Sequence, residues 1–309
     1  MKIFFDNVNF DSRSGPNSFA RKLASEVSLR GHQVQLRPEV PDAQLSFIMS
    51  SAKQGPTVQR LDGIYFNTDQ DYTTMNVPIK ETYRNAECVV FQSRFNEALT
   101  KKYFGDHPDG TVIHNGTDLG VIEKISPLQN DTLDKFENVW CCASSWRPHK
   151  RLKENIEYFL EAAGTRDCLV VAGGNPDHRI DDQRILYAGD IPWPLLVSLY
   201  KRSKYFLHLA WLDHCSNVVV DARAAGCHII CSSSGGTEEI AGEESTVLIE
   251  DPWDFSPTRL YHPPAMDFSL ARPGLYKSEM DIVLTADSYC NVLERAITLA
   301  TENGEDLHR

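Results

Sequence analysis

The chain alternates short apolar runs with amphipathic stretches from its first residues to its last helix. Lys2–Phe5 reads as a strand and residues 11–17 as a polar loop. Phe19, Leu23 and Val27, with Ala20 and Ala24 beside them, then make one apolar face of a helix from about Ser18 to Arg30. Gly31 stops that helix, and His32–Leu36 is the next strand. Further strands are expected at Leu45–Met49, Thr57–Leu61, Glu87–Phe91 and Thr111–Ile113, with helices at Pro78–Arg84 and Arg94–Phe104. Residues 125–137 are polar and without periodicity, which suits a linker. A second series opens at Asn138–Ala143, with strands near Asp167–Ala172, Arg184–Tyr187, Tyr205–Ala210, His228–Cys231 and Ser245–Ile249. Its helices fit Leu152–Ala163, Trp193–Arg202, Val218–Ala225 and Thr237–Ala241. Residues 251–275 carry five prolines and little pattern, and an amphipathic helix over Ala286–Glu302 follows.

Strands that alternate with helices predict parallel sheets in both halves: an α/β protein of two doubly wound, Rossmann-like domains facing a central cleft. The expected division is residues 1–133 and 134–285, with 286–309 a helix packing back on the first domain. A chain of 309 residues suits two domains of about 150 each. The net charge of −12 disfavours non-specific adhesion to nucleic acid or an anionic membrane. No apolar stretch approaches the roughly 18 residues of a membrane span, so the chain is expected to be cytoplasmic. The eight cysteines form no Cys-x-x-Cys pair, and Cys88, Cys141, Cys142, Cys168 and Cys231 lie in or beside apolar runs, which reads as reduced core thiols.

The most informative stretch is Asp213–Gly226. Asp213 follows an apolar strand, and Asp221 stands eight positions later inside a helix that Gly226 ends. A strand-to-helix loop binds phosphate, because free backbone N–H groups and the helix dipole point there. An acid on each side suggests a sugar nucleotide, with phosphates on amides such as those of Asn217 and Val218 and hydroxyls on the carboxylates. The pair also fits a helix-terminal acid plus a solvated helix face. Gly235-Gly236-Thr237-Glu238-Glu239 marks the next such junction, where glycines let a ligand approach the backbone; a plain turn fits it too. Upstream, residues 144–151 bring Arg147, Lys150 and Arg151, with His149, to the same sheet edge, and a guanidinium and an ammonium suit a diphosphate; a solvated basic surface loop fits the same residues. In the first half, Gly15-Pro16-Asn17 offers a flexible loop facing the cleft. Asp62 suits the orientation of an acceptor hydroxyl or the transferring sugar, and equally a turn before Gly63. His114 in Val112–Asp118 reads as structural or functional with equal right.

These residues, in this order, resemble the retaining GT-B-fold glycosyltransferases of family four, glycosyl transferases group 1, over nearly the whole chain. Gly15-Pro16-Asn17 with Gly31-His32-Gln33-Val34 resembles the family's opening loop and helix ending. Val112-Ile-His-Asn-Gly-Thr-Asp118 resembles its Val-Ile-Pro-Asn-Gly-Val-Asp motif, and Trp146–Arg151 its diphosphate-binding Arg/Lys loop. Asp213-x7-Asp221-Ala222 stands where the family has Glu-x7-Glu-Ala, and Gly235–Glu239 matches its Gly-Gly-x-x-Glu. The resemblance implies that Asp213 holds the donor sugar and Asp221 the ribose, while Arg147, Lys150 and the amides near Asn217 and Val218 bind the diphosphate. Both acids are one methylene shorter than the family's. Arg147 stands in for an arginine that the family has near Ser145, and Leu61-Asp62-Gly63 replaces its usual histidine.

The expected reaction is transfer of a sugar from a nucleotide diphosphate, UDP- or GDP-linked, to a glycan, lipid-linked glycan or other glycoconjugate hydroxyl. Retention is expected, with no metal and no cofactor. A GT-B-fold epimerase or phosphorylase and a catalytically inactive nucleotide-binding protein remain alternatives from the same residues.

Overall fold

The computed structural model describes residues 1–12 and 14–306, and the side chains of 303, 305 and 306 are left aside. The chain divides into two compact units, one of residues 1–118 together with the segment that starts at Glu279, the other of Leu119–Ser278.

The first unit holds strands β1 (Lys2–Asp6), β2 (Gln33–Gln35), β3 (Ala43–Phe47), β4 (Thr57–Leu61), β5 (Cys88–Phe91) and β6 (Gly110–Val112). They form one parallel sheet in the order β2-β1-β3-β4-β5-β6. Its helices are α1 (Gly15–Leu29), α2 (Tyr72–Met75), α3 (Val77–Asn85), α4 (Arg94–Phe104) and, at the chain's end, the long Ile282–Asp306 helix. Phe19, Leu23 and Val27 of α1 are buried, and the spacing 282, 286, 289, 293, 296 buries one face of the last helix in the same cluster. Gly116 lets that helix come close: a Cβ there would stand 2.8 Å from the Ile282 backbone. The Thr117 amide and carbonyl then bond to Met280 and Ile282 at 2.7 and 2.9 Å. In Val112–Asp118 the glycine is thus a packing residue.

The second unit has α5 (Leu119–Lys124), β7 (Asn138–Ala143), α6 (Leu152–Ala162), β8 (Asp167–Ala172), β9 (Ile185–Gly189), α7 (Trp193–Arg202) and β10 (Tyr205–His208). It continues with α8 (Asn217–Ala224), β11 (His228–Ser232), α9 (Thr237–Ala241), β12 (Thr246–Leu248) and β13 (Ala271–Pro273), so the Ile282–Asp306 helix is α10. The sheet order is β13-β12-β11-β10-β7-β8-β9, parallel except for β13. Strand order reverses between β7 and β10, which makes the carboxyl ends of those two strands the switch point where α/β sheets bind ligands. The fold is GT-B: two Rossmann-like α/β units, each built on a parallel sheet.

Among the α-helices and strands, three short elements lie outside the periodicity reading. The four residues of α2 depend on a cap, in which Thr74 N donates to Asp71 Oδ1 at 3.1 Å. A fourth difference is at α1, which begins at Gly15, so Gly15, Pro16 and Asn17 form its first turn and not a loop. Proline is preorganised for that position, and Asn17 braces the turn by accepting from Asn9 N and donating to Ser14 Oγ. The other two unforeseen elements are α5 and β13; β13 ends in Pro273 at the sheet edge, where no neighbouring strand needs its missing donor. All eight cysteines are buried and unbridged. No helix among the described residues is long and apolar enough to cross a membrane.

Candidate functional site

Two loops leave the switch point of the second sheet, and the chain stitches them together. After β7, Pro148–Lys150 forms a 3-10 turn closed by Lys150 N to Arg147 O at 2.8 Å. Arg151 follows in the left-handed region (φ 53°) and turns the chain into α6. Its buried guanidinium pairs with Glu250 at 2.8 Å and donates to the Pro264 carbonyl at 2.9 Å. Arg151 is thus an anchor, not a ligand-facing cation. Asn155 of α6 clamps the turn from behind, donating to Arg151 O at 2.7 Å while its oxygen accepts from Leu209 N just past β10. The Trp211 amide donates to His149 O at 2.7 Å. These bonds bring the loop after β7 against the loop after β10.

The consequence is a direct ion pair: Lys150 Nζ lies 2.6 Å from Asp213 Oδ2, although the two are far apart in sequence. His208, the last residue of β10, faces the same oxygen through Nε2 at 2.8 Å. Burial works to raise the Asp213 carboxyl, but the Lys150 charge and the His208 contact outweigh it and hold it well below the ordinary carboxylate range. Burial lowers His208 against the pull of that carboxylate, so the neutral ring donates from Nε2. His149, buried beside Lys150, is pushed down to about 3, first by burial and then by the neighbouring cation. Arg147 is exposed at the head of the turn.

Asp213 is also gripped from the far side. Gly236 N donates to Asp213 O at 2.7 Å, and Leu212 N donates to Ser234 Oγ at 2.8 Å. A Cβ on Gly235, whose φ is +79°, would stand 2.7 Å from Asp213 N and closer still to its carbonyl oxygen. The double glycine therefore admits the Asp213 backbone, and the Gly236 amide expected to meet a ligand is spent on that contact. Gly235→Ala is expected to push the Asp213 loop out of register, and a left-handed alanine costs a further ~1–2 kcal/mol. A melting scan that left stability unchanged would contradict this packing role.

Asn217 and Val218 open α8, where amides have no carbonyl one turn back within the helix; Ser216 makes no side-chain cap there. Asp221, one turn on, is 4% exposed, and its Oδ2 accepts the Trp193 indole N–H at 2.8 Å. Behind the double glycine, Glu238 is held by Arg272 through both oxygens at 2.5 and 2.9 Å.

In the first unit, Asp62 follows β4 inside a buried polar cluster. It pairs with Arg60 and accepts from Gln92, while Arg60 also donates to Asn115 at 2.8 Å and Asn115 donates to Gln92 at 3.1 Å. The Arg60 guanidinium lies 4.2 Å from the Phe19 ring centroid. Asp62 Oδ2 is buried without a hydrogen-bond partner among the described residues. Gly15, Pro16 and Asn17 begin α1 in this unit.

Within the second unit the structure thus joins Lys150, Asp213 and Gly235–Gly236, with Arg147 and Asn217–Asp221 on the adjoining segments. Sequence reasoning passed over His208, Asn155 and Trp193; a polar residue closing an otherwise apolar strand was the available signal for His208. Among the described residues no group of three or more His, Cys, Asp or Glu side chains is placed to hold a metal ion.

No family model and no curated protein matches the sequence. Solved structures do match in fold. The sucrose-phosphate synthase of Thermosynechococcus elongatus is 14% identical over 99% of this chain and 98% of its own, with a TM-score of 0.62. WaaG, a glycosyltransferase involved in lipopolysaccharide biosynthesis, is 14% identical over 82% and 87% of the two chains, with a TM-score of 0.61. HepE of Anabaena, solved with UDP-glucose, is 14% identical over 97% and 92%, with a TM-score of 0.60. The chain is therefore similar to glycosyltransferases of the GT-B fold.

Proposed function

We propose that this protein is a glycosyltransferase that binds a nucleotide-diphosphate sugar at the β7/β10 switch point and moves the sugar to an acceptor hydroxyl with retention. The carrying observation is the Lys150–Asp213 pair, a half-buried cation and anion brought together where the fold binds ligands. Support also comes from the fold neighbours, which include glycosyltransferases and a complex with UDP-glucose.

In this assignment the diphosphate lies along Arg147, Lys150 and the first amides of α8, and Asp221 takes the ribose hydroxyls. Asp213, kept anionic by Lys150 and His208, faces the sugar and opposes the positive charge that builds there as the bond to phosphate breaks. The anomeric C–O(phosphate) bond breaks, the acceptor oxygen bonds to the same face, and its proton passes to the departing phosphate oxygen. Arg147, Lys150 and the amides carry the charge that gathers on the diphosphate, so protein cations do the work that a metal ion would otherwise do. The unbridged cysteines fit a reducing compartment such as the cytoplasm.

Calorimetry with UDP and GDP is the first test, followed by nucleotide release from UDP- and GDP-sugars and NMR of the product's anomeric configuration. No affinity for either nucleotide would sink the proposal. Affinity with no turnover on any acceptor would make the chain a nucleotide-binding protein, and release without acceptor an epimerase.

A further inference from the structure

We infer that Trp193 is a positioning residue for nucleotide recognition: its indole N–H holds the Asp221 carboxylate in the orientation that reads the ribose hydroxyls. This rests on the assignment of Asp221 to the ribose.

Asp221 sits on α8 and is almost entirely buried, with only 4% of the residue exposed. A buried carboxylate on a short side chain needs a fixed donor to keep one orientation, since its oxygens otherwise rotate towards whatever polar group is near. Trp193 supplies that donor from the first position of α7, across 28 residues of sequence, at 2.8 Å to Oδ2. Pro192 and Pro194 flank it and restrict the backbone from which the ring projects. Val197 and Tyr200 anchor the next turns of α7 in the core. An indole is a neutral donor, so it directs Asp221 without cancelling its charge. The same device serves the other acid, where the His208 ring donates to Asp213 at 2.8 Å. Each aspartate has a rigid ring N–H from a neighbouring element behind it. Rigid rings lose little entropy when they hold a partner in place, and a small misplacement of a binding group is costly.

The inference predicts a change in discrimination, which a merely structural tryptophan would not produce. Calorimetry would compare UDP with 2′,3′-dideoxy-UDP, or the guanosine pair if UDP does not bind. Hydrogen bonds to a charged group set the expected preference of the native protein for the ribonucleotide at about tenfold or more. Trp193→Phe, which keeps an aromatic filler and removes the donor, should bring the ratio to within about threefold while the dideoxy affinity stays near the native value. Asp221→Asn should collapse the ratio similarly. Trp193→His, which retains a ring N–H, should recover part of it, and it carries the comparison if Trp193→Phe does not fold. A ratio unchanged in Trp193→Phe, or equal loss of both affinities, overturns the inference. A native protein that binds both nucleotides equally overturns the ribose assignment with it, and one that binds neither overturns the proposed function.

Discussion

Lys150→Ala is expected to lower sugar transfer by about 100- to 1,000-fold, the loss seen when one preorganised donor to a developing anion is removed. Lys150 serves both partners in this scheme, compensating Asp213 before the reaction and the departing diphosphate during it. Lys150→Arg keeps the charge but not the compact ammonium, and should retain more activity than alanine. Stability falls too, by about 2 kcal/mol, less than for a fully buried pair because both side chains reach solvent. The pH dependence has a defined sign. A carboxyl held below its unfolded value of 3.8 contributes stability above that pH and loses it as pH falls through the folded value. Without Lys150 the burial of Asp213 is opposed by His208 alone, its carboxyl rises, and acid unfolding begins at higher pH. Urea titrations of both proteins between pH 3 and 7 would show it. Activity within tenfold of native in Lys150→Ala, or coincident acid limbs, would contradict the role given to this pair.

A second large effect is expected in the first unit, on stability. Arg60 is completely buried, ion-paired with Asp62, bonded to Asn115 and stacked on Phe19 and Phe47. Arg60→Leu leaves the Asp62 carboxylate buried without its cation and should cost about 3–5 kcal/mol. That corresponds to a fall in Tm of about 10 °C. Arg60→Leu with Asp62→Leu removes both charges and should cost much less than the two single changes summed, since apolar replacement of a buried pair is often close to neutral. Additive losses in this cycle would show that the pair is not coupled. The cluster converges on one oxygen, because Arg60 and Gln92 both engage Asp62 Oδ1 while Oδ2 is buried without a hydrogen-bond partner among the described residues.

Much of the fold was legible because burial imposes period on sequence. Thr57–Leu61, Asn138–Ala143 and Asp167–Ala172 are strands over the expected residues, and Arg94–Phe104 and Trp193–Arg202 are helices over theirs. Buried parallel strands such as Val139–Ala143 and Cys168–Ala172 read as unbroken apolar runs, so their ends stand out. The short α2, α5 and β13 escaped because caps, packing and edge pairing hold them, and none of these leaves a period. The Gly15–Asn17 turn was misread because the residues that favour loops also start helices.

The candidate site divides in the same way. The sequence by itself determined which loops follow which strands, and so which charged residues stand at the carboxyl edge of the second sheet: Arg147, Lys150, Asp213 and the opening of α8. Tertiary structure alone decided which of those charges meet. Strand order puts β10 beside β7, so Lys150 reaches Asp213 and not a closer neighbour in the chain. It also spends the Gly236 amide on the Asp213 backbone and sets His208 and Trp193 behind the two acids. Strand order and side-chain direction arise from packing the whole sheet at once, a condition that no local stretch of residues records.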